Sequence, residues 1–315
     1  MVCNLCGSNE YNIIYGYTRL ERNNILQCKN CGLVYIETKK SKNESELYYS
    51  SSDFRNHDVL PLQTANELYH DKVTQYDTEK QIQFISNNID IRDKEVLEVG
   101  SASGRLLEKL LEYGAKSATG IELDKEHAKF IQERNLKVFV HPIEELKFVK
   151  EFDAIVSFHT MEHVYNPLTT IKAIYKSLRS DGYFLGEVPN QNDWRIQIFN
   201  DEVVKRFHYY SSHLFYFSPV TMRNYLKTCG FDIIHLETVE RYNSLVQLRN
   251  ILCDQKSGQS INEVFQERIS RNTKNDDRLP HFTNQIETKF NKIFERGINK
   301  ELMGNCLRWI ARKNE

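Results

Sequence analysis

The sequence lacks any apolar run of about 18 residues, the length that indicates a membrane-spanning helix. It also lacks a charge excess of either sign, since 42 Lys and Arg face 43 Asp and Glu. A protein that mainly holds a nucleic-acid backbone is usually basic, so this balance argues against that class of partner. The N-terminus shows no basic stretch followed by an apolar one, so no secretory signal is expected. Together these absences predict a cytoplasmic protein with no membrane partner.

Cysteine is scarce but clustered. Of seven cysteines, four form the pairs Cys3-x-x-Cys6 and Cys28-x-x-Cys31. Two such turns can bring four thiolates around one Zn²⁺ ion, which prefers tetrahedral coordination. Three short apolar stretches are expected to form strands: Tyr11–Tyr15, Asn24–Gln27 and Leu33–Ile36. The pattern predicts a small zinc ribbon with a structural Zn²⁺, and a redox-active CxxC pair is the alternative.

A ribbon of this size cannot bury enough apolar surface to fold without its metal. Its simplest role is structural, docked on the main domain. Two other roles are open, namely forming one wall of a substrate site and contacting nucleic acid. The segment has few basic side chains for the last role. The remaining cysteines are isolated and are expected to be buried thiols: Cys229, Cys253 and Cys306.

Changes in composition divide the chain into segments. Residues 37–60 are polar and broken, whereas Leu62–Asn88 has rough helical spacing and predicts one or two helices over a cofactor cleft. Residues 240–304 predict two or three surface helices with breaks near 256–260 and 272–280, capping an acceptor site or forming a dimer contact. The predicted organisation is a zinc ribbon over 1–40, a linker and helical lead-in over 41–90, a core over 91–240, a helical insertion over 241–304, and a last core strand over 305–315.

A strand, a glycine-rich turn and a helix follow one another in the central region. Glu95–Gly100 is an apolar run that ends in glycine, and Arg105–Tyr113 carries four leucines expected on one helix face. Small residues in Gly100–Gly104 let the backbone approach a ligand at a helix N-terminus. The apolar run Ser117–Leu123 contains Glu122, near the offset at which an acid binds ribose. This pattern predicts a doubly wound α/β nucleotide-binding fold, for either a nicotinamide dinucleotide or S-adenosylmethionine.

Three further sequence segments distinguish S-adenosylmethionine from a nicotinamide dinucleotide as the expected ligand. They are the apolar run Phe152–Phe158, the segment His159–Pro167 with its Glu162-His163-Val, and Val188-Pro-Asn190. With the glycine-rich turn, they resemble the class I S-adenosylmethionine-dependent methyltransferases. The resemblance runs from Val96 to Thr238 and resumes in Asn305–Lys313. It implies an α/β Rossmann-like sheet of seven strands, one antiparallel, with the cofactor at the carboxyl ends of the strands.

The resemblance also implies which residues contact S-adenosylmethionine. Glu98, Gly100 and Gly104 match the motif that holds the methionine part, and Glu122 matches the acid that binds the ribose hydroxyls. Ile143 lies where the family commonly has an acid before a small residue, so adenine contacts are expected to be apolar or from backbone. The full expected set is Glu98, Gly100, Ser101, Ala102, Gly104, Glu122, Leu123, Ile143, Phe158 and His159.

Methyl transfer needs an aligned acceptor and often a base, and histidine has a suitable pKa. With the zinc module, Tyr209–Pro219 resembles nucleotide-sugar C-methyltransferases of deoxysugar biosynthesis, in which a Tyr-x-Glu-His segment supplies the base. Ser212 stands where that family has Glu, and the family's large C-terminal domain has no obvious counterpart. The resemblance implies a small-molecule acceptor, a sugar such as a nucleotide-linked one or another intermediate of surface-polysaccharide or secondary metabolism, with His213 as the base. The expected catalytic set is His213, His163, His159, Glu162 and Tyr210.

A second resemblance uses the same residues differently. Some quinone-pathway O-methyltransferases and small-RNA end methyltransferases bind a divalent metal through an acid-x-x-Glu-His motif, and in the RNA enzymes a later His completes the set. His159, Glu162 and His163 would share one face of a helix, with His213 added. The alternatives are therefore metal-dependent O-methylation of a quinone-like metabolite, and a nucleic-acid methyltransferase or binding module that uses the ribbon for targeting.

Overall fold

The computed structural model describes residues 2–18, 22–37, 64–200, 208–241 and 278–314, and residues 41, 44, 47, 48, 204, 205, 244 and 247. Most of the predicted linker, Cys253 and the helix break predicted at 256–260 lie outside these residues. No helix among the described residues is long and apolar enough to cross a membrane.

The main domain is built on a seven-stranded sheet, as predicted. Its strands are β4 (Glu95–Val99), β5 (Ser117–Ile121), β6 (Lys137–Phe139), β7 (Phe152–Phe158), β8 (Leu178–Pro189), β10 (Phe231–Val239) and β11 (Cys306–Lys313). Their order is β10-β11-β8-β7-β4-β5-β6, and only β11 runs antiparallel to its neighbours. The expectation of one antiparallel strand, formed by the last segment of the chain, is confirmed.

Helices accompany the strands along the chain. They are α1 (Ala65–His70), α2 (Lys72–Asn88), α3 (Arg105–Glu112), α4 (Lys125–Glu133), α5 (Pro167–Ser177), α6 (Trp194–Phe199), α7 (Pro219–Thr228) and α8 (Arg278–Lys300). Leu106, Leu107 and Leu110 of α3 are buried, but Leu111 is 40 % exposed, so the predicted four-leucine face has three members. Pro280 lies in the first turn of α8, where proline is tolerated, so the break predicted at 272–280 does not extend past 277.

The order of the strands places a crevice at the carboxyl end of β4. The chain leaves β4 for β5 on one side and returns to β7 on the other side. Ligands of doubly wound sheets bind where the strand order reverses in this way. Leu97 and Ile155, in the paired central strands, are fully buried and anchor the two strands from which the crevice opens.

A second sheet joins the N-terminal segment to the main domain. Strands β1 (Tyr11–Tyr15), β2 (Ile25–Cys28) and β3 (Val34–Ile36) are antiparallel, and β3 also pairs with β9 (Phe215–Tyr216) of the main domain. The predicted ribbon strands are present, but their sheet contains a strand contributed from nearly 200 residues away. The segment therefore shares its buried apolar contacts with the main domain instead of forming a separate core.

One local expectation was wrong. Residues 159–166, between β7 and α5, form turns and bends instead of a helix, so a shared helix face does not bring His159, Glu162 and His163 together. Cys306 is buried as predicted but is not isolated, since it lies beside His159 and Glu187.

Candidate active site

A cavity of about 660 Å³ opens at the carboxyl ends of β4, β5 and β7. This volume is typical of a pocket for a drug-sized ligand. It is lined by the glycine-rich turn, by the ends of the three strands, by the lead-in helices α1 and α2, and by the turns before α5. Helices α1 and α2 contribute Leu68, Thr74, Asp77, Thr78 and Gln81. The expectation that the helical lead-in covers the cleft is confirmed.

The backbone of the glycine-rich turn is held close to its surroundings. Gly100 has φ +85°, and a Cβ there would lie 2.1 Å from Thr160 Oγ1, so no larger residue fits. Ala102 also has a positive φ, of 47°, although it carries a Cβ. Its amide donates a hydrogen bond to Glu122 Oε2 at 2.7 Å, and the Asp124 amide donates to Glu122 Oε1 at 2.9 Å. The acid predicted for the ribose therefore also fixes the shape of the turn.

Glu98 is a buried acid at the floor of the cavity. Its side chain is 5 % exposed, and Oε2 has no hydrogen-bond partner among the described residues. Burial and the nearby Glu122 carboxylate raise the pKa of Glu98 to about 8. A buried carboxyl group without a partner is costly, and a cationic ligand group in the cavity would relieve that cost.

The other residues predicted to contact the cofactor divide into two groups. Those that line the cavity are Ser101, Leu123, Ile143, Phe158 and His159. Gly104 does not line it, but its φ of +75° starts α3 directly after the turn. Glu144 and Glu145 line the cavity next to Ile143. Acidic side chains thus lie close to Ile143, the position at which this chain lacks the acid that is common in the methyltransferase family.

His159 is flanked by carboxylates on both ring nitrogens. Nε2 lies 2.8 Å from Glu187 Oε1, and Nδ1 lies 3.5 Å from Glu162 Oε1. Burial alone would lower the pKa of His159, but its hydrogen bonds with Cys306, Glu162 and Glu187 outweigh burial and hold the pKa well above its usual value. An imidazole that is already protonated cannot accept a proton. His159 therefore suits a charged, structural role on the cavity wall better than that of a base.

His163 is held at the cavity wall by the backbone. Its Nδ1 donates a hydrogen bond to the carbonyl oxygen of Ser212 at 3.0 Å, which puts the lone pair of the neutral ring on Nε2. His163 lines the cavity, whereas His213, Glu162 and Tyr210 do not. The His213 ring lies behind it, with ring centroids 4.9 Å apart. Burial, followed by the neighbouring histidines, holds the pKa of His213 well below its usual value.

Several residues in the cavity wall or next to it were missed by the sequence analysis. Arg241, directly after β10, pairs with Asp77 of α2, and both line the cavity. Glu187, within β8, accepts from Arg308 as well as from His159. No local pattern marks these residues, because each acquires its role from a partner more than 20 residues away in the chain.

The four N-terminal cysteines lie together, as their spacing predicted. The sulfur atoms of Cys3 and Cys31, and those of Cys6 and Cys28, are 3.5 Å apart, and all four lie within 4.8 Å of one another. Zn–S bonds of about 2.3 Å in a tetrahedron separate the sulfurs by about 3.8 Å, so this set of atoms fits a Zn²⁺ ion. None of the described residues before Ala65 lines the cavity.

The sequence model of a protein family described as a methyltransferase domain matches residues 70–236, more than half of the chain. Among curated proteins, the chain is 29 % identical over 119 residues to a tRNA U34 carboxymethyltransferase of Helicobacter acinonychis, covering 35 % of this chain and 45 % of that protein. It is 26 % identical over 120 residues to a ubiquinone biosynthesis O-methyltransferase of Neisseria meningitidis, covering 35 % and 50 %. The matched stretch thus spans about half the length of these relatives.

Solved structures share the fold at lower identity. A methyltransferase solved in complex with the Haloferax volcanii Trm112 methyltransferase activator gives a TM-score of 0.53 at 12 % identity, covering 88 % of this chain and all of the other. The 1,6-didemethyltoxoflavin-N1-methyltransferase of Burkholderia thailandensis gives 0.51 at 15 % identity, covering 97 % and 100 %. At these identities the likeness shows the Rossmann-like fold alone.

Proposed function

The chain belongs to the methyltransferase-domain family, and we propose that it transfers a methyl group from S-adenosylmethionine to a sugar, free or nucleotide-linked. The family and the fold make it an S-adenosylmethionine-dependent enzyme. The cofactor supplies an electrophilic methyl group on a sulfonium ion. The protein therefore has to bind the cofactor, align the acceptor and remove its proton.

The cavity offers groups that fit each part of the cofactor. Glu98, with its unpartnered oxygen, suits the ammonium group of the methionine part. Glu122, which lines the cavity, is proposed to bind the ribose hydroxyls, and Ile143, with the carboxylates that follow it, suits the adenine. These assignments rest on the cavity lining together with the match to the family motif.

We assign the general base to His163 instead of His213. The single observation that carries this assignment is the hydrogen bond from its Nδ1 to the Ser212 carbonyl, which presents Nε2 as the proton acceptor in a residue that lines the cavity. Hydrogen bonds outweigh burial and hold the pKa of His159 well above its usual value, which disfavours it as the base, and His213 contacts His163 but does not line the cavity.

The charge of the cavity supports a small hydroxylated acceptor. Its lining includes the acidic side chains Asp77, Glu98, Glu122, Glu144 and Glu145 and the basic side chains Arg105, His159 and Arg241, and the raised pKa of Glu98 reduces the acidic excess further. Carboxylates accept hydrogen bonds from sugar hydroxyls, and such a lining offers no basic groove for a nucleic-acid backbone. Arg105 and Arg241, the second of which is paired with Asp77, are the arginines of the lining that could contact a phosphate or carboxylate on the acceptor.

An acceptor panel tests this function. Release of S-adenosylhomocysteine would be measured with nucleotide-linked deoxysugars, with a hydroxylated quinol and with unmodified tRNA, at equal enzyme concentration. We expect turnover with a sugar and none with tRNA. A clear preference for tRNA or for the quinol would contradict the sugar assignment, while leaving the methyltransferase assignment intact.

Glu98 should make cofactor binding depend on pH. With a pKa of about 8 the carboxyl is largely protonated at neutral pH, and a neighbouring ammonium favours the carboxylate, so binding releases a proton. We expect the affinity for S-adenosylhomocysteine to rise with pH, by at most about tenfold per unit between about pH 6 and 8. Calorimetry on the wild type and on Glu98→Gln checks this. The Gln variant has no proton to release and should show a flat profile, and a flat wild-type profile would contradict the assignment.

One cluster favours a second candidate, a metal-dependent O-methyltransferase. One ligand atom from each of Glu162, His163 and His213 lies within 4.8 Å of the others. Glu162 Oε2 and His213 Nδ1 are buried and have no hydrogen-bond partner among the described residues. A carboxylate with two imidazoles suits a transition-metal ion. In the acceptor panel, turnover of the quinol that appears only after Mn²⁺ is added would favour this candidate over proton removal by His163.

We also propose that the four-cysteine cluster binds one structural Zn²⁺ ion. The short sulfur–sulfur distances and the partial burial of the cluster support this assignment. The sheet around the cluster is small, and such a sheet needs a metal, a disulfide or a neighbouring domain for its stability.

A further inference from the structure

We propose that the N-terminal zinc module, residues 2–37 with the four-cysteine cluster, is a positioning element for His163 and sets the turnover rate without contacting the ligands. This inference rests on the proposed role of His163 as the base. The observation behind it is a chain of backbone hydrogen bonds that runs from the module to the His163 turn. Residues 211–216, here called the bridging segment, form its middle part.

One side of the bridging segment is paired with the module. Val34 and Tyr35 of β3 pair with Tyr216 and Phe215. The pairing continues past β9, because the Ile36 amide donates to the Leu214 carbonyl at 3.1 Å. At the start of the segment, the Ser211 hydroxyl is 2.8 Å from the Thr18 hydroxyl. Three backbone positions and one side chain thus tie the bridging segment to the module.

The other side of the bridging segment holds the catalytic turn. The amides of Leu214 and Phe215 both donate to the carbonyl oxygen of Glu162, at 2.8 and 3.2 Å. The carbonyl of Ser212 accepts from His163 Nδ1, so it sets both the tautomer and the ring direction. Leu214 therefore bonds to the module through its oxygen and to the catalytic turn through its nitrogen. Leu214 thus links β3 directly to the turn that carries His163.

A metal ion bound by the four cysteines would hold β3 in place. Cys28 is the last residue of β2, and its amide donates to the Leu33 carbonyl at 2.9 Å, just before β3 begins. Cys31 lies in the turn between these strands. Without a metal the two CxxC turns lose the bonds that would hold them together, and the position of β3 then depends on its packing and pairing alone. The bridging segment would then lose its partner strand.

The effect should appear in kcat and not in cofactor affinity. No described module residue lines the cavity, so metal loss removes no ligand contact. A general base that is misplaced by about 1 Å can cost a factor of about 100 in rate. The positions proposed for the methionine part and the ribose of the cofactor lie on β4, β5 and their turns, and these strands do not pair with the bridging segment.

The experiment uses the full-length Cys6→Ser variant, because Cys6 is the exposed member of the cluster and its replacement disturbs the packing least. We expect loss of bound zinc, and hydrogen exchange at the Leu214 and Phe215 amides at least about tenfold faster, since these donors would fray from Glu162. With the preferred acceptor, we expect kcat to fall about 10- to 100-fold. The affinity for S-adenosylhomocysteine should stay within about twofold. A twofold change is about 0.4 kcal/mol, which is the size of effect expected between two sites that do not interact.

Two further variants complete the test. Cys229→Ser replaces a buried cysteine outside the cluster and should keep zinc, exchange rates and kcat. Cys6→His supplies a different zinc ligand and should recover zinc, slow exchange and most of kcat. Zinc loss with unchanged exchange at 214–215 and unchanged kcat overturns the proposal. Loss of cofactor affinity in Cys6→Ser overturns it too, because the module would then support the whole fold. Failure of the wild type to turn over any acceptor counts against the proposed function, while hydrogen exchange still tests the bridge.

Discussion

His163→Ala is expected to lower kcat by about 10²- to 10⁴-fold, the usual contribution of a general base. The affinity for S-adenosylhomocysteine should remain unchanged, since Glu98, Glu122 and the glycine-rich turn are left in place. The reason lies in the geometry. His163 lines the cavity, and the hydrogen bond from its Nδ1 to backbone puts the lone pair of the neutral ring on Nε2, the nitrogen we assign as the proton acceptor. Steady-state kinetics and calorimetry on the same preparation separate the two effects.

Two other histidine variants serve as comparisons. His235→Ala removes a half-exposed ring on β10, outside the cavity, and should retain full activity. His213→Ala removes the ring that packs behind His163, so we expect a smaller loss of kcat than for His163→Ala. If His213→Ala proves the more damaging of the two, the base assigned from the sequence resemblance is the better choice. Full activity of His163→Ala would exclude it as the base.

Gly100→Ala should be the most damaging single change in the cofactor site. The new Cβ would lie 2.1 Å from Thr160 Oγ1 and 2.9 Å from Thr160 Cβ, and the second atom cannot move aside by rotation of the side chain. The residue would also have to keep a φ of +85°, which only glycine adopts freely. Left-handed strain and overpacking together predict a loss of about 2–4 kcal/mol in the free energy of unfolding.

Cofactor affinity should fall with that loss of stability. The turn must move to make room, and the Ala102 amide then loses its alignment with Glu122. We expect S-adenosylhomocysteine to bind at least about 10-fold more weakly, which corresponds to the loss of one charge-assisted hydrogen bond. Gly16→Ala is the matched control, because a Cβ there meets no atom within 4 Å. Thermal unfolding and calorimetry check both variants, and normal binding by Gly100→Ala would show that the turn does not hold the cofactor.

Local patterns were sufficient to predict most of the fold. Strand β7 is buried on both faces and is therefore an almost continuous apolar run, so Phe152–Phe158 was predicted to the residue. The glycine-rich turn and Glu122 were predicted because a nucleotide site of this kind lies within one strand–turn–helix unit. The cysteine cluster was predicted because two CxxC turns already restrict where their sulfurs can be.

The catalytic roles could not be predicted in the same way. The sequence placed His159, Glu162 and His163 on a shared helix face, but the segment is a turn whose shape depends on β9 and β8. Glu187, 28 residues beyond His159, changes that histidine from a candidate base into a charged partner. Ser212, noted in the sequence as a departure from a family pattern, acts through its backbone carbonyl, which any residue would provide.

The sequence by itself determined the glycine-rich turn from Gly100 to Gly104, the order of the strands' apolar runs and the grouping of the cysteines, because each depends on neighbours within a few residues. Only the tertiary structure decided which histidine meets the cavity and how the N-terminal module is joined to the main domain. Both depend on hydrogen bonds between β3, β9 and the Glu162 turn, which lie far apart in the chain. Strand pairing of this kind is backbone to backbone, so it leaves little trace in the side chains that a sequence displays.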